Sequence, residues 1–211
     1  MTAALPARKE RAATVQSRER VLRATVKLLA RHGLERVRLR DVAREAEISV
    51  GSLQYYFETR DQLMQEAFAY RSQDAIRGFT EAAGTGEDPW QRIQALLEYV
   101  TRPRGYRERS IVWLEFAAAS SRDSHLNRVM SRVYEAWRDP LRKAIEEGSA
   151  AGRFSPAMPV EDVVDAIITQ IDGLELAIAA RMEHFSAHRA RKIIRSTTVS
   201  LLGLPPEAAE S

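Results

Sequence analysis

The chain has no cysteine among its 211 residues. That single absence removes disulfides, zinc–thiolate centres and cysteine nucleophiles, and it suits a reducing cytoplasm. Long apolar runs are missing too, so no membrane span is expected, and the opening MTAALPARKERAAT lacks the apolar stretch of a signal peptide. Histidine is scarce. Of the four, only His184 and His188 share an i, i+4 spacing, and without a third ligand that pair reads as surface rather than metal site. No Gly-rich phosphate loop or nucleophile elbow occurs. Nothing calls for a cofactor or a metal, and no enzyme is expected. Val/Ile stretches with strand-like alternation are absent as well, which leaves an all-α chain of about nine helices.

What is present is unevenly distributed. Residues 1–60 carry thirteen Lys and Arg against seven Asp and Glu, whereas residues 61–211 carry nineteen against twenty-two. A basic head on a mildly acidic body points to a polyanion as the partner of the head. Residues 1–13 read as a flexible arm, 14–60 as a first domain, 61–204 as a helical second domain, and 205–211 as a frayed tail. From 14 to 32 the apolar positions Val21, Leu22, Val26, Leu28 and Leu29 recur at helical steps, and Gly33 is placed to end that helix in a left-handed conformation. Further helices are expected over 39–46, from Ser49 or Ser52 to Phe57, from about Thr59, then over 89–101, 107–119, 124–149, 160–183 and 187–203. Asp88-Pro89 is a helix start, and Pro140 should kink or break the helix that contains it.

The stretch VAREAEISVGSLQYYF, residues 42–57, stops one short helix and starts another. Two short helices joined by a tight turn form a helix-turn-helix, whose second helix can enter the major groove. Leu39, Val42, Ala43 and Ala46 supply its buried stripe, Ile48 plugs the corner, and Leu53 and Phe57 anchor the second helix. Val50, Gly51, Gln54 and Tyr55 are left on or near the outward side. A glutamine can bond adenine through N6 and N7, and hydroxyls and guanidinium groups suit phosphates, which fits Tyr56, Ser52 and Arg60. Tyr56 beside Phe57 also reads as a core aromatic, and Arg60 as an ordinary solvated helix-start residue.

The segment from Arg18 to Phe68 resembles the N-terminal domain of TetR-family transcriptional regulators. The likeness lies in an Arg-led first helix ending at Gly33, two short helices, an aromatic pair, Phe57, and a basic residue before an acid and Leu63. It implies that Ser52, Gln54, Tyr55, Tyr56 and Arg60 touch an operator, Tyr56 and Arg60 through phosphates. Two positions depart from the pattern. Glu47 stands where the family usually has glycine, so the corner is expected either to carry a strained positive φ or to take a different shape. Gln54 stands where many members have tyrosine. The resemblance also implies a homodimer on a palindromic operator, most often a repressor, released by a small-molecule effector held in the second domain. A helical dimer acting through protein–protein contacts, without reading sequence, is the alternative.

Within 160–180 apolar residues cover well over half of the helix circumference, and 193–202 carries paired apolar and Thr positions at a four-residue step. Ile167, Ile171, Leu174, Ile178, Ile194, Thr198 and Leu201 are therefore expected at a symmetric dimer interface. Burial inside the monomer is the competing account. For the effector, Tyr99, Trp113, Phe116, Tyr134 and Trp137 are candidate cavity aromatics, with Glu115, Asp172 and Glu175 as acids in otherwise apolar helices; each aromatic reads more readily as core, and Asp162, Asp165, Thr169 and Asp172 equally well as a solvated stripe. Acids beside aromatic faces would suit a cationic amine. Trp113 and Glu115 lie about 200° apart on one helix and should not face the same cavity.

Overall fold

The computed structural model describes residues 5–209, with side chains from residue 15 onward, and it divides into two compact units, Met1–Arg71 and Ser72–Ser211. Among the described residues there are nine α-helices and no strand, the all-α class expected from composition.

In the first unit α1 spans Leu5–His32. The arm expected over 1–13 is thus helical from Leu5, where Pro6 in the first turn and the Ala/Arg/Lys/Glu composition both favour helix; residues 1–4 lie outside the described residues. Val21, Leu22, Leu28 and Leu29 form the buried stripe of α1. Gly33 ends the helix with φ 75° and ψ 163°, a positive-φ conformation that glycine alone adopts readily, rather than the left-handed helical one expected. A 3-10 turn, Leu34–Arg36, leads to α2, Leu39–Glu45, and then to α3, Val50–Tyr56. Val42, Ala43, Ala46, Leu53 and Phe57 are all buried. Full burial of a side chain as large as Leu53 or Phe57 contributes roughly 1.5–3 kcal/mol. Glu47 at the corner has φ 55°, the strained alternative of the two expected there.

Ion pairs brace α1. Glu45 of α2 pairs with Lys27, and with Arg31 at 3.8 Å. Arg18 pairs with Glu66 and lies 5.1 Å from the ring centroid of Phe57. Glu66 belongs to α4, Arg60–Ala83, whose start is capped by Thr59 through the Gln62 amide at 3.1 Å.

The second unit is built from the end of α4 with α5 (Pro89–Thr101), α6 (Tyr106–Ser120), α7 (Ser124–Ala150), α8 (Val160–Ala179) and α9 (Ala187–Leu201). α8 is the central helix, packed against α6, α7 and α9. Its Val163, Val164, Ile167, Ile168, Ile171, Leu174, Ala177 and Ile178 are buried. Helix α8 ends at Ala179 rather than 183, because Arg181 turns to φ 55° and the Met182 amide bonds back to the Ala177 carbonyl at 3.0 Å. Helix α7 runs unbroken through Pro140. Within the tail expected to fray, Pro206–Ala209 form a 3-10 turn against α9; Glu210 and Ser211 lie outside the described residues.

Candidate DNA interface and effector site

Helix α3 is short, and its caps fix which face it shows. The Ser49 hydroxyl accepts from the Ser52 amide at 3.0 Å, and Leu53 and Phe57 pin the opposite face. Val50, Gly51, Ser52, Gln54 and Tyr55 are exposed, Tyr55 at 82%. A Cβ at Gly51 would meet only the Ser49 hydroxyl, at 3.9 Å, so its outward side is open to close approach. Tyr56 is half-buried with its ring edge-on to Tyr55, centroids 5.5 Å apart. Arg36 and Arg38 on the approach to α2, and Arg40 in its first turn, are exposed. The sequence reading passed over them, although their alternate spacing in RVRLR was the available signal.

Arg60 is neither a free solvated side chain nor aimed outward. Its Nε donates to the Val37 carbonyl at 2.9 Å and its Nη2 to the Leu34 carbonyl, with Asp61 3.6 Å from Nη1. The guanidinium satisfies carbonyls around the 3-10 turn that no helix serves. Its use in this structure is to hold the start of α4 against the segment leading into α2.

In the second unit, four of the candidate aromatics gather in one cluster. The Trp113 indole stacks on Trp137 with centroids 5.1 Å apart, and Tyr134 and Phe116 lie 5.8 and 6.0 Å from Trp113. Phe79 of α4 extends the cluster, 5.6 Å from Trp137 and 6.2 Å from Tyr99. Sequence reasoning missed Phe79. Gly78 was its signal: a Cβ there would fall 2.3 Å from the Tyr99 hydroxyl, so the helix carries glycine where another ring must come close.

Asp172 supplies the charge. Trp113 Nε1 donates to its Oδ1 at 2.9 Å, and the Tyr134 hydroxyl donates to its Oδ2, so both carboxylate oxygens are engaged. Burial pushes the Asp172 carboxyl above its ordinary range, and those two donors only partly offset it. Burial likewise raises the Tyr134 phenol, helped by the bond to Asp172 and the charges of Asp172 and Glu175. Tyr134 therefore remains a donor throughout the physiological range. Glu175 is buried, and its charge adds to burial in raising the Tyr106 phenol. Glu115 lies elsewhere, lining a groove of about 420 Å³ with Ile111, Leu114, Ala118, Ala179 and Ala180. It leaves the cluster for the reason its helical angle gives.

The expected dimer residues are placed differently. Ile167, Ile171, Leu174, Ile178, Ile194 and Thr198 are all buried within this one chain, and only Leu201 is partly exposed. Helix α8 is surrounded by α6, α7 and α9, which consume its wide apolar surface. Its outward face instead carries Thr169, Gly173, Leu176 and Ala180. His184 and His188 are exposed, and among the described residues no three His, Asp or Glu side chains gather as metal ligands.

Two family profiles match this chain in succession: bacterial regulatory proteins of the tetR family over residues 21–67, and the C-terminal domain of BetI-type transcriptional repressors over residues 89–203. The chain belongs to the TetR family. It is accordingly a DNA-binding transcriptional regulator and not an enzyme. Among TetR-type relatives, a nicotine-responsive transcriptional repressor of Paenarthrobacter nicotinovorans is 25% identical over 167 residues, 79% of this chain and 85% of its own length. BetI of Agrobacterium fabrum is 21% identical over 78% of this chain and 77% of its own. A transcriptional regulator from Saccharomonospora viridis, solved in complex with choline, shares the fold with TM-score 0.81 at 22% identity, over 88% of this chain and 96% of that one. Among the described residues no helix is long and apolar enough to cross a membrane.

Proposed function

We propose that this TetR-family chain is a cytoplasmic homodimeric repressor, bound to a palindromic operator and released by a small cationic amine. The observation that carries the effector is Asp172, a half-buried carboxylate bonded by Trp113 and Tyr134, with Trp137 stacked on Trp113. Aromatic faces and a desolvated negative charge together favour an onium group. The relatives agree in chemistry, since nicotine is an amine and choline a quaternary ammonium. An effector weakens DNA binding only through its preference for the conformation that binds DNA less well.

On the operator, Gln54 and Tyr55 read bases, Val50 and Gly51 give close approach, and Ser52, Tyr56 and the exposed arginines meet phosphates. Arg60 acts as a positioning residue. The dimer forms through the outward face of α8, where Leu176 is 49% exposed and a Cβ at Gly173 would meet nothing within 4 Å. Two such reading helices would sit about 34 Å apart, one turn of DNA.

Selection of binding sites from a random duplex pool, run in parallel with Gln54→Ala, tests the reading. A palindrome whose preferred bases shift in the variant, and which wild type releases on addition of choline, is the expected result. Sequence-indifferent binding would return the chain to a protein-contact role. A palindrome that no onium ion releases would remove the effector assignment alone.

A further inference from the structure

The Asp172 site needs a way in. We infer that the groove between α7 and α8 is the port by which a cation reaches Asp172, with Arg138 as its latch, an inference resting on the effector reading above. The groove encloses about 520 Å³ and is open at the surface, lined by Tyr134, Glu135, Arg138, Asp139, Arg142 and Glu161. Tyr134 is the connection. Its side chain lines the groove, and its hydroxyl is bonded to Asp172 within the cluster.

The contacts between the two antiparallel helices run in order along this seam. Tyr134 meets Asp172, Arg138 meets Asp165 and Glu161, and Arg142 meets Glu161 at 3.7 Å. Tyr134, Arg138 and Arg142 recur every four residues and so share one face of α7, each about 6 Å beyond the last. Arg138 therefore closes the seam one turn from the ring that covers Asp172. Its side chain is 25% exposed, whereas those of Glu161 and Asp165 are 56% and 54% exposed. An arriving cation meets those acids before it meets Arg138.

Such a latch opens readily. Ion pairs with exposed partners hold weakly, and an incoming cation can take the place of Arg138 on Glu161 and Asp165. The acid rim draws cations toward the groove. Pro140 supplies compliance at the same point. It has no amide to donate to the Ala136 carbonyl, so α7 lacks the rung from 140 to 136, across the turn that carries Arg138, while remaining helical. The latch thus sets how fast a cation passes, while Asp172 and the aromatics set how tightly it is held.

Stopped-flow tryptophan fluorescence with tetramethylammonium reads this directly, because Trp113 and Trp137 flank the site. In Arg138→Ala, association and dissociation should both accelerate, on the order of fivefold, with Kd unchanged. In the Glu161→Gln/Asp165→Asn double variant, dissociation should accelerate likewise, while association loses its dependence on ionic strength. The double variant also covers the case in which Arg138→Ala fails to fold, as circular dichroism would reveal. Rates equal to wild type in either folded variant would overturn the port. So would a change in Arg138→Ala confined to dissociation, which would make Arg138 part of the bound site. Absence of any fluorescence change in all the proteins would overturn the effector reading and the port together.

Discussion

Trp113 and Asp172 stand 59 residues apart in the chain and are joined by an indole-to-carboxylate hydrogen bond of 2.9 Å. The bond ties α6 to α8 at the point where the Tyr134 hydroxyl ties in α7. A carboxylate held by two neutral donors keeps its net charge, and that charge is what an onium ion would meet. Asp172→Asn preserves the shape and removes the charge. Calorimetric titration with choline should show affinity falling on the order of tenfold or more, with thermal stability little altered. Equal affinity in the variant would move the cation site away from Asp172.

The same carboxyl sets a pH dependence. Its folded-state pKa is raised. Its contribution to folding is therefore fully present below the unfolded value and is lost as pH rises through the folded one. Choline requires the ionised form, so affinity should fall as pH drops through the raised pKa, above the range of an ordinary Asp. Titrations across mildly acidic pH should show this decline in wild type and not in Asp172→Asn. A decline persisting in the variant would assign the titration to another group.

Arg60 gives the first unit a comparable test. Its bonds to the Val37 and Leu34 carbonyls predict that Arg60→Ala lowers stability by about 2 kcal/mol, the range for hydrogen bonds from a charged donor. Arg60→Lys should not rescue it, because one ammonium cannot reproduce the planar fork. Urea unfolding checks both. The salt dependence of operator binding separates the roles. A slope reduced by about one phosphate in Arg60→Ala would mean that the guanidinium leaves those carbonyls for DNA.

What was legible in the sequence was what neighbouring residues decide. Asp88-Pro89 as a helix start and the buried Leu53 and Phe57 follow from local spacing and backbone preference, which also narrow the α3 cap to Ser49 or Ser52 and the Glu47 corner to strain or a changed shape; the structure uses Ser49 and carries the strain. The aromatic candidates could be chosen for chemistry, but their meeting depends on how α4, α6, α7 and α8 pack, and Phe79 escaped notice for that reason. Of the residues expected at the dimer interface, all but Leu201 are buried inside the monomer, the competing account, for the same reason. Periodicity shows that α8 is apolar around most of its circumference, but not that α6, α7 and α9 of the same chain take up that surface. Arg60 does start α4, but its bonds could not be read from its position, because the carbonyls it serves, at 34 and 37, belong to a turn far from it in sequence.

Asp88 should behave as a cap with a definite acid signature. It accepts from the Trp90 and Gln91 amides at 2.8 and 3.1 Å and faces Arg153 at 3.3 Å. Burial works against its charge, yet the two amides and Arg153 prevail and hold its pKa below the ordinary value. Asp88→Ala should lose about 1 kcal/mol at neutral pH. A depressed folded-state pKa gives stability that is present above the unfolded pKa and is lost as pH falls through the folded one. The gap between wild type and variant in urea melts should therefore close at strongly acid pH, and a gap independent of pH would show that the loss is packing alone.

Glu47 isolates backbone strain. It is exposed, its φ is 55°, and its neighbours' amides close the corner, Ile48 onto the Ala43 carbonyl at 3.0 Å. An L-residue in that conformation costs roughly 1–2 kcal/mol, while glycine in the unfolded chain returns about 0.5–1 kcal/mol of that relief as entropy. Both Glu47→Gly and Glu47→Ala delete the carboxylate, and only glycine removes the strain. The glycine variant should therefore be more stable than the alanine variant by about 0.5–1 kcal/mol. Their operator affinities should agree, since the corner keeps its shape and each has lost the same negative charge beside the reading helix. Equal stability of the two would mean that the corner relaxes its φ at no cost, and a tighter operator complex for glycine alone would mean that the strain is carried into the recognition geometry.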